Sequence, residues 1–191
     1  MADDTAALLR ELGIEHADLF GYSMGGGIAL QVAIRHPDLA RKLVLAAPAY
    51  GPDGLYPEVL ENIRNLKPED FAGSPWQEGY ARVAPDLEDW PTLIAKVRRL
   101  VGEFEGWPAA AIEAIEAPAL VIVADADVVR PEHAVELFRL LGGCVAGDLA
   151  GLPRSQLAVL PGTTPVSLVE RADWLTPMTT EFLDAPMPEA K

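Results

Sequence analysis

One stretch, Asp18-Leu-Phe-Gly-Tyr-Ser-Met-Gly-Gly-Gly27, constrains what this chain can fold into more than any other. A short apolar run, Ala17 to Tyr22, leads into Ser23, and Gly21, Gly25, Gly26 and Gly27 surround it. Glycine removes side chains where a strand turns sharply into a helix, so the spacing G-x-S-x-G predicts a nucleophile elbow. Such a turn holds the Ser23 hydroxyl at the carboxyl end of its strand and aims the Met24 N–H at an oxyanion formed there. The alternative is a glycine-rich turn carrying a solvated serine. The strand before it and the helix-like run Ile28 to His36 after it, each where the motif requires them, weigh against that alternative. A phosphate-binding loop fits less well: no lysine follows the glycines, and Ser23 and Met24 separate Gly21 from the next glycine, which breaks G-x-G-x-x-G.

Around this stretch the pattern alternates. Asp3 and Asp4 can cap a first helix with Leu8, Leu9 and Leu12 as its apolar stripe and Gly13 as its stop. The elbow strand and a small-residue helix from Gly26 to Arg35 follow, the helix ending before Pro37, and Lys42 to Ala47 reads as a buried strand. Strand, helix and strand within so few residues imply a parallel, right-handed crossover and an α/β class of fold. Alternation resumes with a strand over Ala119 to Ala124. A helix from Pro131 to Gly142-Gly143 has Ala134, Val135, Phe138 and Leu141 facing inward; a strand over Gln156 to Leu160 and a helix over Asp173 to Leu183 come next. The expected result is a four-stranded parallel sheet in chain order, helices on both faces, with the tail from Ala185 to Lys191 loose.

Between Pro48 and about Ala117 this alternation stops. Prolines, tryptophans and short helical runs replace it, over Tyr56 to Leu66, Trp76 to Val83, Leu93 to Phe104 and Ala109 to Ile115. Trp76, Trp90 and Trp107 are candidates to line a pocket, and equally to close a small core within this segment.

The chain resembles the α/β-hydrolase superfamily, in particular its small bacterial esterase, haloperoxidase-like and lactonase-like members. The resemblance is carried by Gly21-Tyr-Ser-Met-Gly-Gly26, Arg35-His-Pro37, Lys42-Leu-Val-Leu45, Leu120-Val-Ile-Val-Ala-Asp-Ala-Asp127 and Pro161-Gly162. It implies a partial fold of that type, with residues 1–47 and 118–191 as the core and 48–117 as a helical cap over the elbow.

A serine hydroxyl needs a base within hydrogen-bond reach and a carboxylate to orient that base. The resemblance implies the order serine, acid, histidine and places the acid at Asp127, by its similarity to the family's G-x-x-D pattern. Asp125 is the competing acid, read as bonding loop amides near the strand end; a helix-cap or turn aspartate ahead of Pro131 is the structural alternative for Asp127. The same resemblance places the base at Pro165, and proline has no ionisable side chain. His16 and His36 are expected at the far end of the sheet. His133 is the nearest histidine by topology, with its ring expected to point to solvent. The family also carries strands ahead of the elbow, one of whose loops supplies a second oxyanion amide, often in an H-G motif absent from this sequence. The elbow strand is therefore expected at an open sheet edge, covered by another chain unless the sequence is a fragment or a mis-started reading frame.

These readings imply a serine-hydrolase-type protein for small, rather apolar esters or lactones, impaired at its base. The alternatives are a ligand-binding or self-association module, with a homodimer through Ala17 to Tyr22, and a member that only holds substrate. At 191 residues, 50% of them hydrophobic, one domain with a real core is expected. A net charge of −14 disfavours nucleic acid and anionic membranes as partners. Cys144 alone can form no internal disulfide, and no metal or organic cofactor is implied. The acidic start and the absence of a membrane-length apolar run point to the cytoplasm.

Overall fold

A computed structural model describes residues 1–188; residues 189–191, the end of the tail expected to be loose, lie outside the described residues. Helix α1 (Ala2–Glu11) precedes strand β1 (Ala17–Tyr22), helix α2 (Met24–Arg35) and strand β2 (Ala40–Ala46). Four helices follow, α3 (Pro57–Asn65), α4 (Pro75–Val83), α5 (Trp90–Gly102) and α6 (Ala109–Glu113). The chain then returns through β3 (Ala119–Ala124), α7 (Pro131–Leu140), α8 (Gly147–Ala150), β4 (Gln156–Leu160), α9 (Pro165–Leu168) and α10 (Ala172–Asp184).

The four strands form one sheet in the order β1-β2-β3-β4, every neighbouring pair parallel, as the alternation implied. Because strand side chains alternate between faces, β2 and β3 feed two cores at once. Leu43, Leu45, Val121 and Val123 pack with Leu30 of α2, Ile112 of α6 and Leu137 of α7. Val44, Ala46, Leu120 and Ile122 pack on the other face with Leu168 of α9 and Phe182 of α10. Lys42, near the amino end of β2, is buried, and its Nζ donates to the carbonyls of Phe182, Leu183 and Ala185 at the end of α10. A cation on otherwise unsatisfied terminal carbonyls ties that helix down.

Two helix faces differ from the sequence reading. On α1, Leu8 and Leu12 are exposed, and the face packed on Val32 and Leu39 is Ala2, Ala6 and part of Leu9. Asp3 and Asp4 sit in the first turn without capping it, since Met1 is the N-cap. The close approach of α1 to α2 favours small residues over the leucine stripe, and Asp3 reaches Arg35 and His36 of α2. On α7, Val135 is exposed and Leu137 is fully buried, so the packed positions are 134, 137, 138 and 141 at strict helical spacing.

Candidate active site

The elbow is built as a strained turn. Ser23 has φ 51° and ψ −116°, a backbone conformation costing about 1–3 kcal/mol for a residue with a side chain, and it persists because both flanks are fixed. On one side the Ser23 amide donates to Ala46 O at 2.7 Å, extending the β1–β2 ladder to the rim of the sheet. On the other, the Ser23 carbonyl accepts from Gly26 N at 2.9 Å and opens α2. The Ser23 side chain is exposed at the carboxyl end of β1, and the Met24 amide at the head of α2 donates to no backbone carbonyl among the described residues. Of the four glycines, Gly21 is the one the turn cannot replace: a Cβ there would lie 2.2 Å from Gly25 O. Gly25 faces open space, so its side-chain-free position is not a steric demand.

Asp127 lies three residues beyond β3 on the same rim. It is 7% exposed; one carboxylate oxygen accepts from Ala124 N and the other from Val129 N, each at 3.0 Å. Burial raises its pKa above the ordinary carboxylate value, against the opposing pull of those amides. The Tyr22 hydroxyl, one residue before Ser23, is pushed up by burial and then by the Asp127 charge. Asp125 takes the role read for it: its carboxylate accepts from Gly162 N at 2.9 Å and Thr163 N at 3.1 Å. Those amides hold the Asp125 carboxyl below its usual range.

The loop after β4 reaches the elbow. Tyr22 donates its hydroxyl to the Pro165 carbonyl at 2.6 Å, and Ala126 N donates to Thr163 O at 3.1 Å. Pro165 opens α9, whose N-cap Thr164 bonds Ser167. The position assigned to the base by resemblance is thus tied to Tyr22, the residue before Ser23, and carries proline.

None of the histidines is hydrogen-bonded to the Ser23 hydroxyl among the described residues. His36 bonds Asp3 at 3.0 Å and His16 bonds Asp38 O at 2.7 Å, both at the far end as expected. His133 departs from its reading: the ring is 2% exposed and buried against Tyr50 rather than pointing to solvent. A helix start tucked under the 50–54 loop has no solvent side there, and that packing left no local signal in the sequence.

The tryptophans divide. Trp90 is buried between Phe71 and Tyr80, donates its indole N–H to Pro68 O at 3.3 Å, and closes a small core of the helical segment itself. Trp76 packs edge-on against Phe71 and is largely exposed. Trp107 is the one that meets the elbow helix, its ring tip 3.3 Å from where a Cβ on Gly27 would stand. Two surface depressions lie away from Ser23. One is lined by Arg64, Ala95, Arg98 and Arg99 on α3 and α5; the other opens at the amino ends of the strands, beside His16, Lys42, Pro118 and Gln156.

A parallel sheet wound on both faces, with a strained serine between strand and helix and a carboxylate on the same rim, defines the serine-elbow class of α/β proteins. The comparisons agree: the family model described as alpha/beta hydrolase fold matches residues 1–83. Over those residues the chain is similar to the α/β-hydrolase superfamily. It is 55% identical over 47 residues to the 2-hydroxymuconate semialdehyde hydrolase of Pseudomonas sp. (strain CF600), a match covering 25% of this chain and 17% of that protein. It is 33% identical over 103 residues to the AB hydrolase superfamily protein YisY of Bacillus subtilis (strain 168), covering 47% of this chain and 38% of that one. The matches thus span well under half of these relatives' lengths. Among solved structures, the meta-cleavage product hydrolase CumD of Pseudomonas fluorescens IP01 superposes with a TM-score of 0.68 at 19% identity, over 96% of this chain and 70% of that one. No helix of the described residues is long and apolar enough to cross a membrane.

Proposed function

We propose that the chain is a serine-hydrolase-type protein for small carboxylic esters or lactones, weakened by the residue at position 165. Ser23 is the nucleophile, the Met24 amide an oxyanion donor and Asp127 the acid, while Pro165 occupies the place of the base. Helices α3 to α6, within residues 48–117, serve as the cap, with Trp107 as its contact to the elbow. The observation that carries this reading is the exposed Ser23 at φ 51°, a strained conformation with no packing role for its hydroxyl. Backbone strain of this kind persists where the surrounding structure holds a reactive group in place.

A fluorophosphonate probe tests it. Its phosphorus is electrophilic enough to report an accessible, oriented serine even where turnover is slow, so the parent protein is expected to label slowly and Ser23→Ala not at all. Mass spectrometry of the labelled peptide gives the answer, and labelling that is absent, or equal in Ser23→Ala, overturns the assignment.

A second reading is favoured by one observation: the loop bearing Pro165 is fully organised without a base, through Asp125, Ala126 and Tyr22. In that reading the elbow persists as packing in a ligand-binding or self-association module. The surface for association is the outer edge of β1, which pairs only with β2 among the described residues and leaves Phe20 56% exposed. Unpaired strand donors and acceptors beside an apolar side chain are self-complementary across a two-fold axis. A dimer is expected in sedimentation velocity at micromolar concentration, reduced to monomer by Phe20→Lys, which charges that edge; a parent that stays monomeric counts against it.

A further inference from the structure

His133, the third residue of α7, lies where the helical segment joins the sheet. Its ring stacks on Tyr50 with centroids 4.1 Å apart and planes 16° apart. Its Nε2 accepts the Tyr50 backbone N–H at 3.2 Å. That bond decides the tautomer, because an accepting ring nitrogen carries no hydrogen, so the neutral ring keeps its proton on Nδ1. Nδ1 is buried and has no partner among the described residues. The ring is also pressed against backbone: a Cβ on Gly54 would fall 2.5 Å from both Cδ2 and Nε2. Segment 50–56 is otherwise fastened to the start of α7 by Arg130 N to Gly54 O at 2.8 Å and Arg130 Nε to Asp53 O at 2.9 Å. An isolated bridge between Leu55 and Val129 adds to these. The Tyr50 carbonyl accepts from Trp107 N at 2.9 Å, so both ends of the helical segment meet at this one place.

We propose that His133 is an acid-sensitive latch, whose protonation releases segment 50–56 from α7 and loosens the helical segment at its root. A second ring proton would place an N–H on Nε2 directly against the Tyr50 N–H, turning an attractive contact into two opposed donors. It would also put a full charge in a buried site where neither ring nitrogen has an acceptor among the described residues, with the Gly54 backbone packed against the Nε2 side of the ring. The charged and titratable groups facing the ring are Asp53 and Tyr50 on the segment and Arg130 and Glu136 at α7. Burial is the largest influence and lowers the imidazole below its ordinary value, outweighing the favourable carboxylates of Asp53 and Glu136, with Arg130 acting in the same direction as burial. Between the lowered value of the closed ring and the ordinary value of about 6.5 for a free one, the open state binds a proton that the closed state does not. The latch is therefore closed above that window and weakens as pH falls through it.

Hydrogen exchange of the full chain, corrected for intrinsic chemical rates, tests this at about pH 7.5 and about pH 5. Peptides covering 48–56 are expected to open more at acid pH, by up to about tenfold per pH unit, the slope of a single linked proton, while peptides from β3 stay protected. His133→Gln supplies an acceptor oxygen that does not titrate and is expected to abolish the pH dependence in 48–56. Equal protection of 48–56 at both pH values, or a pH dependence that survives in His133→Gln, overturns the latch. If that variant does not fold, imidazole NMR signals of the parent decide. An Nδ1–H tautomer whose protonation tracks the loss of protection supports the proposal. A ring that protonates with 48–56 still protected, or that stays neutral at acid pH, defeats it.

Discussion

Pro165→His is expected to raise hydrolysis of p-nitrophenyl acetate about 100-fold to 10,000-fold over the parent, the usual contribution of a positioned general base. Four hydrogen bonds hold position 165 and its loop beside the elbow without using its side chain. Tyr22 donates to its carbonyl at 2.6 Å, Asp125 holds the amides of Gly162 and Thr163, and Ala126 N bonds Thr163 O. Because the position opens α9, a histidine there adds a backbone N–H where the first helical turn leaves amides free in any case, so the substitution costs the loop little. Under the proposed assignment, an imidazole at this place takes the Ser23 proton and is oriented by Asp127. In a Ser23→Ala background the gain should vanish, since the base then has no nucleophile to activate. Rates for the parent, the single variant and the double variant, with circular dichroism confirming that each is folded, decide the matter. An unchanged rate in a folded Pro165→His protein removes position 165 from the proposed site.

The largest effect on stability is expected from Gly21→Ala. The added Cβ would lie 2.2 Å from Gly25 O, 2.5 Å from Gly25 C and 2.6 Å from Gly26 N, all of them backbone atoms that no rotamer change can move aside. Relief requires shifting the first turn of α2 away from β1, which breaks the packing of Ala29 and Leu30 on the sheet. Overpacking of this kind costs typically 1–3 kcal/mol and more where backbone is struck, so about 3 kcal/mol or above is expected. That is a large part of the roughly 5–15 kcal/mol that stabilises an ordinary domain. Gly25→Ala makes the control, because its Cβ meets nothing within 4 Å and alanine gains about 0.5–1 kcal/mol over glycine within a helix. Urea denaturation followed by circular dichroism should show a midpoint far below the parent for Gly21→Ala and at or slightly above it for Gly25→Ala. Equal midpoints would mean that the turn relaxes and that the elbow geometry is not sterically enforced at residue 21.

Both predictions begin from features written locally in the chain. The run from Ala17 through Gly27 contains a strand, a turn and a helix start in consecutive residues, and a strained turn of this kind needs its glycine and its serine adjacent in sequence. The sheet was legible for a similar reason. β3 is apolar at every position, as is β2 from Leu43 to Ala46, because both faces are covered, and short crossovers between parallel strands admit one handedness, so the order β1-β2-β3-β4 followed. Asp125 was read as bonding loop amides near the strand end, and in the structure its carboxylate binds the amides of the β4 loop, while the Asp127 carboxylate accepts from Ala124 N and Val129 N.

What the sequence alone determined, then, is the turn at Ser23 and the order of the strands, both set by contacts within a few residues or by topology that short loops enforce. The tertiary structure alone decided which face of α1 packs, why Val135 rather than Leu137 meets solvent, and which tryptophan touches the elbow helix. It also placed Lys42 under the end of α10, 140 residues away from Phe182 in the chain, and buried His133 beneath Tyr50, 83 residues from it. Those outcomes rest on close packing between elements distant in sequence, where the space left by a glycine such as Gly54 or Gly27 selects the side chain that fills it. Periodicity within one helix carries no information about the shape of the surface it will meet.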